Sequence, residues 1–308
     1  MKRFLAGALA VALLLSLAGC SWIVAEPRKW SRGHGKLSIV ASSNVWADLA
    51  FQIGEGLVTS HALIFNVSQD PHSYEATVRD ELLVKKANLI VMNGGGYDDF
   101  MYQLARNKNH QRAPIVNAVK FAGTRPDGNE HIWFSVERVR KVAASIAAKL
   151  KAIALPAAAG GIDANLARVN AKLDAVQLEL DAMKPKTAGN RVIFSEPIGA
   201  YLADALGEID ATPTAFSKAI EEGRDIPPAA ALQVEHLLKS GKIDLLVYSS
   251  ATVGSPAQKI LNTNQQQVPA TQVGELLMQD PDSYEWSGDF FSYLSSSIAD
   301  MAIMRDGK

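Results

Sequence analysis

Six histidines, at positions 34, 61, 72, 110, 131 and 236, and one cysteine, Cys20, are the only imidazole and thiol groups in this sequence. A transition-metal site needs deprotonated nitrogen, oxygen or sulfur donors on rigid supports. Two histidines sit among polar and turn-forming residues: His72 in Asp70-Pro71-His72-Ser73-Tyr74-Glu75 and His131 in Asn129-Glu130-His131-Ile132-Trp133. Two acids have comparable settings, Glu196 in Ser195-Glu196-Pro197-Ile198-Gly199 and Glu275 in Gly274-Glu275-Leu276. Two neutral imidazoles and two carboxylates would carry two negative charges, which a divalent cation neutralises. The four residues are separated by 59, 65 and 79 positions, and no H-E-x-x-H pair exists. Spacing alone does not distinguish these histidines from packed or solvated ones, so the argument turns on the elements that carry them.

Short apolar runs alternate with amphipathic stretches along the chain. Strands are expected at 37–41, 58–67, 88–92, 115–116, 191–194, 243–248 and 268–273. Helices are expected at 45–53, 79–87, 97–106, 135–154, 162–183, 197–206, 228–240, 256–262 and 283–304, with a loop over 210–226. This alternation predicts βα units around parallel sheets. The stretch Ile162 to Met183 lies between two such blocks, where a helix could join two lobes. Ligands of α/β sheets collect outside the carboxyl ends of strands. His72, His131, Glu196 and Glu275 all fall at that kind of position, two in each half. The triple glycine 94–96 lacks the Lys-Ser/Thr of a phosphate loop and reads as a tight strand-to-helix turn. His61 reads as packed within its strand, His34 and His110 as solvated, and Glu235-His236 as a surface pair. Arg224 and Asp225, in the loop before Pro227, are candidates to support the ligands from behind.

The N-terminus carries a separate signal. Lys2 and Arg3 precede an apolar core from Phe4 to Leu17, too short to span a bilayer but suited to a secretory signal. It ends in Leu17-Ala18-Gly19-Cys20, which resembles a bacterial lipobox. Cleavage before Cys20 would make it the acylated first residue, anchored to the membrane by more than one chain. Sulfur is then spent on lipid, and disulfides are excluded. The net charge of −1, with 31 basic and 32 acidic residues, gives no basic excess that would point to nucleic acid. Mean hydropathy near zero excludes a polytopic membrane protein.

Together, Asp-Pro-His-Ser-Tyr-Glu (70–75), Asn-Glu-His-Ile-Trp (129–133), Ser-Glu-Pro-Ile-Gly-Ala-Tyr (195–201) and Gly-Glu (274–275) resemble the metal-binding extracellular solute-binding proteins of ABC transporters, the zinc and manganese cluster. Further matches are Asn-Gly-Gly-Gly-Tyr-Asp-Asp-Phe-Met (93–101), Phe-Ser-Lys-Ala-Ile-Glu-Glu-Gly-Arg-Asp-Ile-Pro-Pro (216–228) and Trp286. The resemblance covers roughly residues 37 to 290. It implies an α/β fold of two lobes, each with a parallel-type β-sheet flanked by helices, joined by one long rigid helix. It also implies a metal in the cleft, held by His72, His131, Glu196 and Glu275. Two departures stand out. The family branch usually has Thr-Glu-Thr at the last site, where this chain has Gly274-Glu275-Leu276. The histidine-rich loop of some zinc-specific relatives is missing, since 107–130 contains only His110.

The expected organisation is therefore a lipoprotein signal peptide (1–19), a lipidated tether (20–36), an N-terminal α/β lobe (37–160), an inter-lobe helix (161–185) and a C-terminal α/β lobe (186–308). The expected function is capture of Zn²⁺, with Mn²⁺ second, outside the cytoplasmic membrane and delivery to the permease of a metal ABC importer. A lipid-anchored monomer without enzymatic turnover is expected. Two alternatives remain open from sequence: a surface-anchored metal-dependent hydrolase, which would need a free coordination position and a nearby base, and a binding protein for an organic solute.

Overall fold

A computed structural model describes residues 36–66, 69–106, 113–221, 223–249, 255–262, 268–274 and 289–302. Cys20, His34, His110, Glu275 and Trp286 lie outside the described residues. The first half contains β1 (Leu37–Ser43), α1 (Asn44–Ile53), β2 (Val58–Ile64), a 3-10 turn (Pro71–Ser73), α2 (Val78–Lys86), β3 (Leu89–Met92) and α3 (Asp99–Arg106). It continues through β4 (Ile115–Asn117), α4 (Ala118–Ala122), a second 3-10 turn (Ile132–Phe134) and α5 (Val136–Ile153). Its strands pair in parallel in the order β2-β1-β3-β4. Leu89-Ile-Val-Met lacks polar alternation because β3 is covered on both faces, and all its residues are buried.

The second half follows α6 (Ala159–Thr187) with β5 (Arg191–Phe194), a 3-10 turn (Pro197–Gly199), α7 (Ala200–Leu206), β6 (Ile209–Asp210), α8 (Thr214–Glu221) and α9 (Pro228–Lys239). Then come β7 (Leu245–Ser249), α10 (Pro256–Asn262), β8 (Ala270–Val273) and α11 (Phe290–Met301). Its strands are also all parallel, in the order β6-β5-β7-β8. Each sheet thus places the first strand of its half between the second and third. Successive connections leave to opposite sides at that strand, which opens a crevice at its carboxyl end.

Helix α6 has 29 residues and is about 43 Å long at 1.5 Å per residue. Ile162, Asn165, Val169, Leu173, Val176 and Leu180 form its buried stripe, at steps of three and four. The stripe packs on α1 and α5 of the first half and on α7 and α11 of the second. One hydrophobic core consequently runs from Leu37 and Trp46, through Leu173, to Phe194 and Phe290. Smaller clusters cover the far faces of the sheets, around Val40 and Met101 in one and around Phe216 and Leu246 in the other.

The structure corrects several expectations. The stretch 210–226 is not all loop, because Thr214–Glu221 is helical and buries Phe216 and Ala219 on one face. His61 is exposed rather than packed: β2 is an edge strand, and it is the neighbouring Ser60 that faces α1, donating to the Ala47 carbonyl at 2.7 Å. Helix α6 continues past Met183, through Pro185, to Thr187. Pro185 removes only one N–H in the last turn, and the Thr187 hydroxyl lies within hydrogen-bonding reach of the Met183 and Leu206 carbonyls at 3.3 and 2.8 Å. Among the described residues, no helix is long and apolar enough to cross a membrane.

Candidate metal centre

His72 is carried by the first 3-10 turn, seven residues and more beyond the end of β2. Pro71 fixes the first φ of the turn, and Asp70 accepts hydrogen bonds from the His72 N–H (2.9 Å) and the Ser73 hydroxyl (2.8 Å). The Tyr74 hydroxyl donates to Asp80 (2.8 Å), the acid that closes the capping box of α2 with Thr77. Asp-Pro-His-Ser-Tyr therefore specifies a rigid turn that presents one imidazole. The ring of Tyr97 stands edge-on to both His72 and His131, with centroids at 5.3 and 5.9 Å, and packs on Trp133.

His131 is fully buried just before the second 3-10 turn. Its backbone N–H donates to Asn129 Oδ1 at 2.9 Å, and its ring Nδ1 lies 3.0 Å from the same oxygen. The Asn129 amide nitrogen donates to the Pro197 carbonyl at 2.7 Å, which fixes which way the amide faces. Oδ1 is thus an acceptor toward the ring, and the ring proton belongs on Nδ1. Nε2 is left as a lone pair, buried and without a hydrogen-bond partner. Burial first, and the nearby His72 second, push the His131 pKa down to about 3. The imidazole is neutral and preset as a donor.

Glu196 follows β5, the strand at which the second sheet reverses its order, and is buried. It caps the Pro197–Gly199 turn in extended backbone conformation. One donor atom from each of His72, His131 and Glu196 falls within a group whose members all lie within 4.8 Å of one another. Glu275 lies outside the described residues, but the strand before it ends at the same edge: β8 pairs in parallel with β7 up to Val273. The Gly274 carbonyl accepts from the Tyr293 hydroxyl, and that hydroxyl accepts from Trp133 Nε1 at 3.3 Å. The peptide next to Glu275 is thereby tied to the segment that carries His131. Arg224 and Asp225 are exposed on the turn between α8 and α9.

Sequence reasoning missed the residues that support the triad. Asn93, at the end of β3, receives Trp46 Nε1 on its side-chain oxygen (3.1 Å) and donates from its amide to the Glu130 carbonyl (3.0 Å). Asp98 is buried and accepts the backbone N–H groups of Asn93 and Gly94 at 2.6 and 2.7 Å. Burial raises its pKa, and those bonds pull it back. The loop between them takes φ values of +78°, +75° and +102° at Gly94, Gly95 and Gly96, which is why all three are glycine. Across the halves, the Tyr201 hydroxyl donates to the Asn129 carbonyl (2.7 Å) and accepts the Arg125 N–H (2.9 Å). Arg125 Nη1 reaches the Ala200 carbonyl and Asp204, each at 2.8 Å. Glu130 places Oε1 3.5 Å from His72 Nε2. Asn129, Glu130 and Tyr201 all lie within the segments that carried the family resemblance. Their position beside the candidate ligands was the one available signal.

Residues 39–301 match the family described as zinc-uptake complex component A, periplasmic. The chain is 27% identical over 256 residues to the metal ABC transporter substrate-binding lipoprotein ScbA of Streptococcus cristatus, covering 78% of this chain and 81% of that protein. It is 27% identical over 146 residues to the manganese-binding lipoprotein MntA of Halalkalibacterium halodurans, covering 46% of this chain and 47% of that protein. Among solved structures, the periplasmic zinc-binding protein TroA of Treponema pallidum superposes with a TM-score of 0.70 at 16% identity, over 87% of this chain and 98% of that one. The solute-binding protein FpvC of Pseudomonas aeruginosa, in complex with Mn²⁺, gives 0.70 at 18% identity, over 87% and 97%.

Proposed function

The chain belongs to the zinc-uptake complex component A family, and on that premise we propose that it captures a divalent transition metal outside the cytoplasmic membrane and delivers it to the permease of an ABC importer. The observation that carries this reading is the His131 Nε2 lone pair, buried without a hydrogen-bond partner and grouped with donors of His72 and Glu196. A buried polar atom left unpaired is costly unless something comes to satisfy it. A metal cation does so, and the Glu196 carboxylate supplies charge to neutralise it. Glu275 is the fourth ligand in this reading, reached by the chain directly after Gly274. Arg224 and Asp225 are kept as outer supports that would have to approach from the α8–α9 turn.

Capture suits the site better than turnover. Four protein donors in a closed cleft leave little room for the open position that a catalytic metal keeps. Zinc is the favoured cargo, because the affinity order of divalent metals places it above manganese at nitrogen and oxygen sites, and manganese is second. Cys20 is read as the acylated first residue after removal of 1–19, with 20–36 as tether, 37–160 and 186–308 as lobes and 161–185 as the joining helix. The protein acts as a monomer at the extracytoplasmic face.

The test is metal analysis of protein purified without added metal, followed by zinc and manganese titration. One metal per chain, lost in His131→Ala, is expected. A parent protein that binds neither metal overturns the reading. For the anchor, Cys20→Ala is expected to leave the membrane fraction or remain unprocessed.

A further inference from the structure

His72 and His131 stand on separate segments, and one ring touches both. We propose that Tyr97 is a positioning residue of the metal site: its ring fixes the separation of the two imidazoles before any metal arrives. The proposal rests on the metal-capture reading above and deepens it.

The two histidines are held differently. His131 is fully buried, with Asn129 at its Nδ1 and Trp133 against its ring at 5.1 Å. The His72 side chain is 25% exposed. The hydrogen bonds of its turn, to Asp70 and from Tyr74 to Asp80, are all local in sequence. They fix the shape of the turn but not its distance from His131. Glu130 Oε1 approaches His72 Nε2 only to 3.5 Å, beyond the usual hydrogen-bond range of about 2.7–3.2 Å. The Tyr97 ring supplies the spacing. Its centroid is 5.3 Å from that of His72 at 82°, and 5.9 Å from that of His131 at 75°. Such near-perpendicular contacts are a favoured aromatic geometry. The Tyr74 ring also packs on Phe100 at 4.8 Å, so the His72 turn is seated twice on the segment 97–100.

A ring can space two ligands only if it is itself fixed. Tyr97 is 1% exposed and lies against Trp133 at 5.0 Å. The Asn93 amide donates to the Gly94 carbonyl and to the Glu130 carbonyl, each at 3.0 Å. One side chain thus ties the loop that carries Tyr97 to the segment that carries His131. Gly95 lets the two approach, since a Cβ there would stand 3.0 Å from Glu130 Cβ and 3.2 Å from the Val119 side chain. Asp98 clamps the loop from the other side, accepting the Asn93 and Gly94 N–H groups. Loop, Tyr97 and His131 form one rigid unit, and His72 is docked on it through a ring. When ligands are not preset, apparent affinity falls by the fraction of molecules in the competent arrangement. One aromatic contact of this kind is worth roughly two- to twelvefold in such an equilibrium.

The experiment titrates Zn²⁺ into metal-free parent, Tyr97→Leu, Tyr97→Phe and the remote core variant Phe216→Leu, and follows the histidine ring protons of the metal-free proteins by NMR. Tyr97→Leu keeps apolar bulk without a ring, and its zinc affinity is expected to fall about tenfold. Tyr97→Phe keeps the ring and should stay within about threefold of the parent. Phe216→Leu, in the cluster on the far face of the second sheet, should lose stability and keep the parent's affinity. In the metal-free parent, nuclear Overhauser contacts should link the Tyr97 ring to both imidazoles, and the His72 ring signals should move in Tyr97→Leu. No contact between Tyr97 and His72 in the metal-free parent overturns the proposal, and this is read even if Tyr97→Leu fails to fold. Parent-like affinity in Tyr97→Leu overturns it too. So does an equal loss in Tyr97→Phe, which would assign the effect to the hydroxyl, or in Phe216→Leu, which would assign it to stability. If the parent shows both ring contacts but binds no zinc, it is the capture reading that has failed.

Discussion

Asn129 Oδ1 faces both the backbone N–H and the ring Nδ1 of His131, at 2.9 and 3.0 Å. One oxygen thus sets the position and the tautomer of a buried donor, while the amide nitrogen of the same side chain holds the Pro197 carbonyl beside Glu196. Asn129→Ala should release both. Outer residues that orient metal-bound histidines are worth roughly 10–100-fold in affinity, and a loss in that range is expected by calorimetric titration. Affinity within twofold of the parent would show that His131 needs no such partner.

The proposed ligand set makes a graded prediction. Replacing His72, His131 or Glu196 by alanine should weaken binding by orders of magnitude, whereas His61→Ala, on the exposed edge strand, should leave it unchanged. Bound metal should raise the melting temperature of the parent, by about 4 kcal/mol of stability at a thousandfold excess over the dissociation constant. A His131→Ala protein still stabilised to the same degree would remove that residue from the site.

Glu208 offers a test remote from the metal. It follows α7 with both carboxylate oxygens buried, and burial first, with Asp244 adding repulsion, pushes its pKa up from 4.5 to about 8. Between those values the folded chain keeps a proton that the unfolded chain has lost. Stability contributed by this group is therefore lost as pH rises from about 4.5 to 8. Glu208→Gln should flatten that slope and gain on the order of 2 kcal/mol near pH 8. Denaturant melts at pH 5 and 8 check it, and a parallel pH dependence in both proteins would sink it.

Much of the frame was legible because it rests on local pattern. Leu89-Ile-Val-Met and Arg191-Val-Ile-Phe carry no polar alternation, and the stripe of α6 repeats at helical steps. Glu196 was legible as a candidate because it closely follows β5, whereas His72 and His131 were read at strand ends that the structure puts eight and fourteen residues earlier, with α4 intervening before His131. The helix Thr214–Glu221 was not, because it is short, preceded by Pro213, and stabilised by burying Phe216 in a core assembled from distant residues. His61 was misread because sequence does not say that β2 is an edge. The contacts Asn129–Pro197 and Tyr201–Arg125 span 68 and 76 residues. No spacing rule predicts pairs at that range, because they depend on how the halves meet across α6.

Tyr201 is where that meeting can be tested. Its hydroxyl lies between the Asn129 carbonyl and the Arg125 N–H, at 2.7 and 2.9 Å, and the Arg138 guanidinium stacks 4.9 Å from its ring centroid. Tyr201→Phe keeps the ring and the stacking but strips the bridge, leaving two backbone groups of the first half without this partner. A lost buried hydrogen bond of this kind costs about 1–2 kcal/mol. Because the bridge joins the halves that supply His131 and Glu196, the loss should appear in release as well as in stability. Metal dissociation, followed by stopped flow against excess chelator, is expected to accelerate several-fold in Tyr201→Phe, with the association rate little changed. If stability falls while the release rate stays that of the parent, Tyr201 supports the fold without holding the cleft closed.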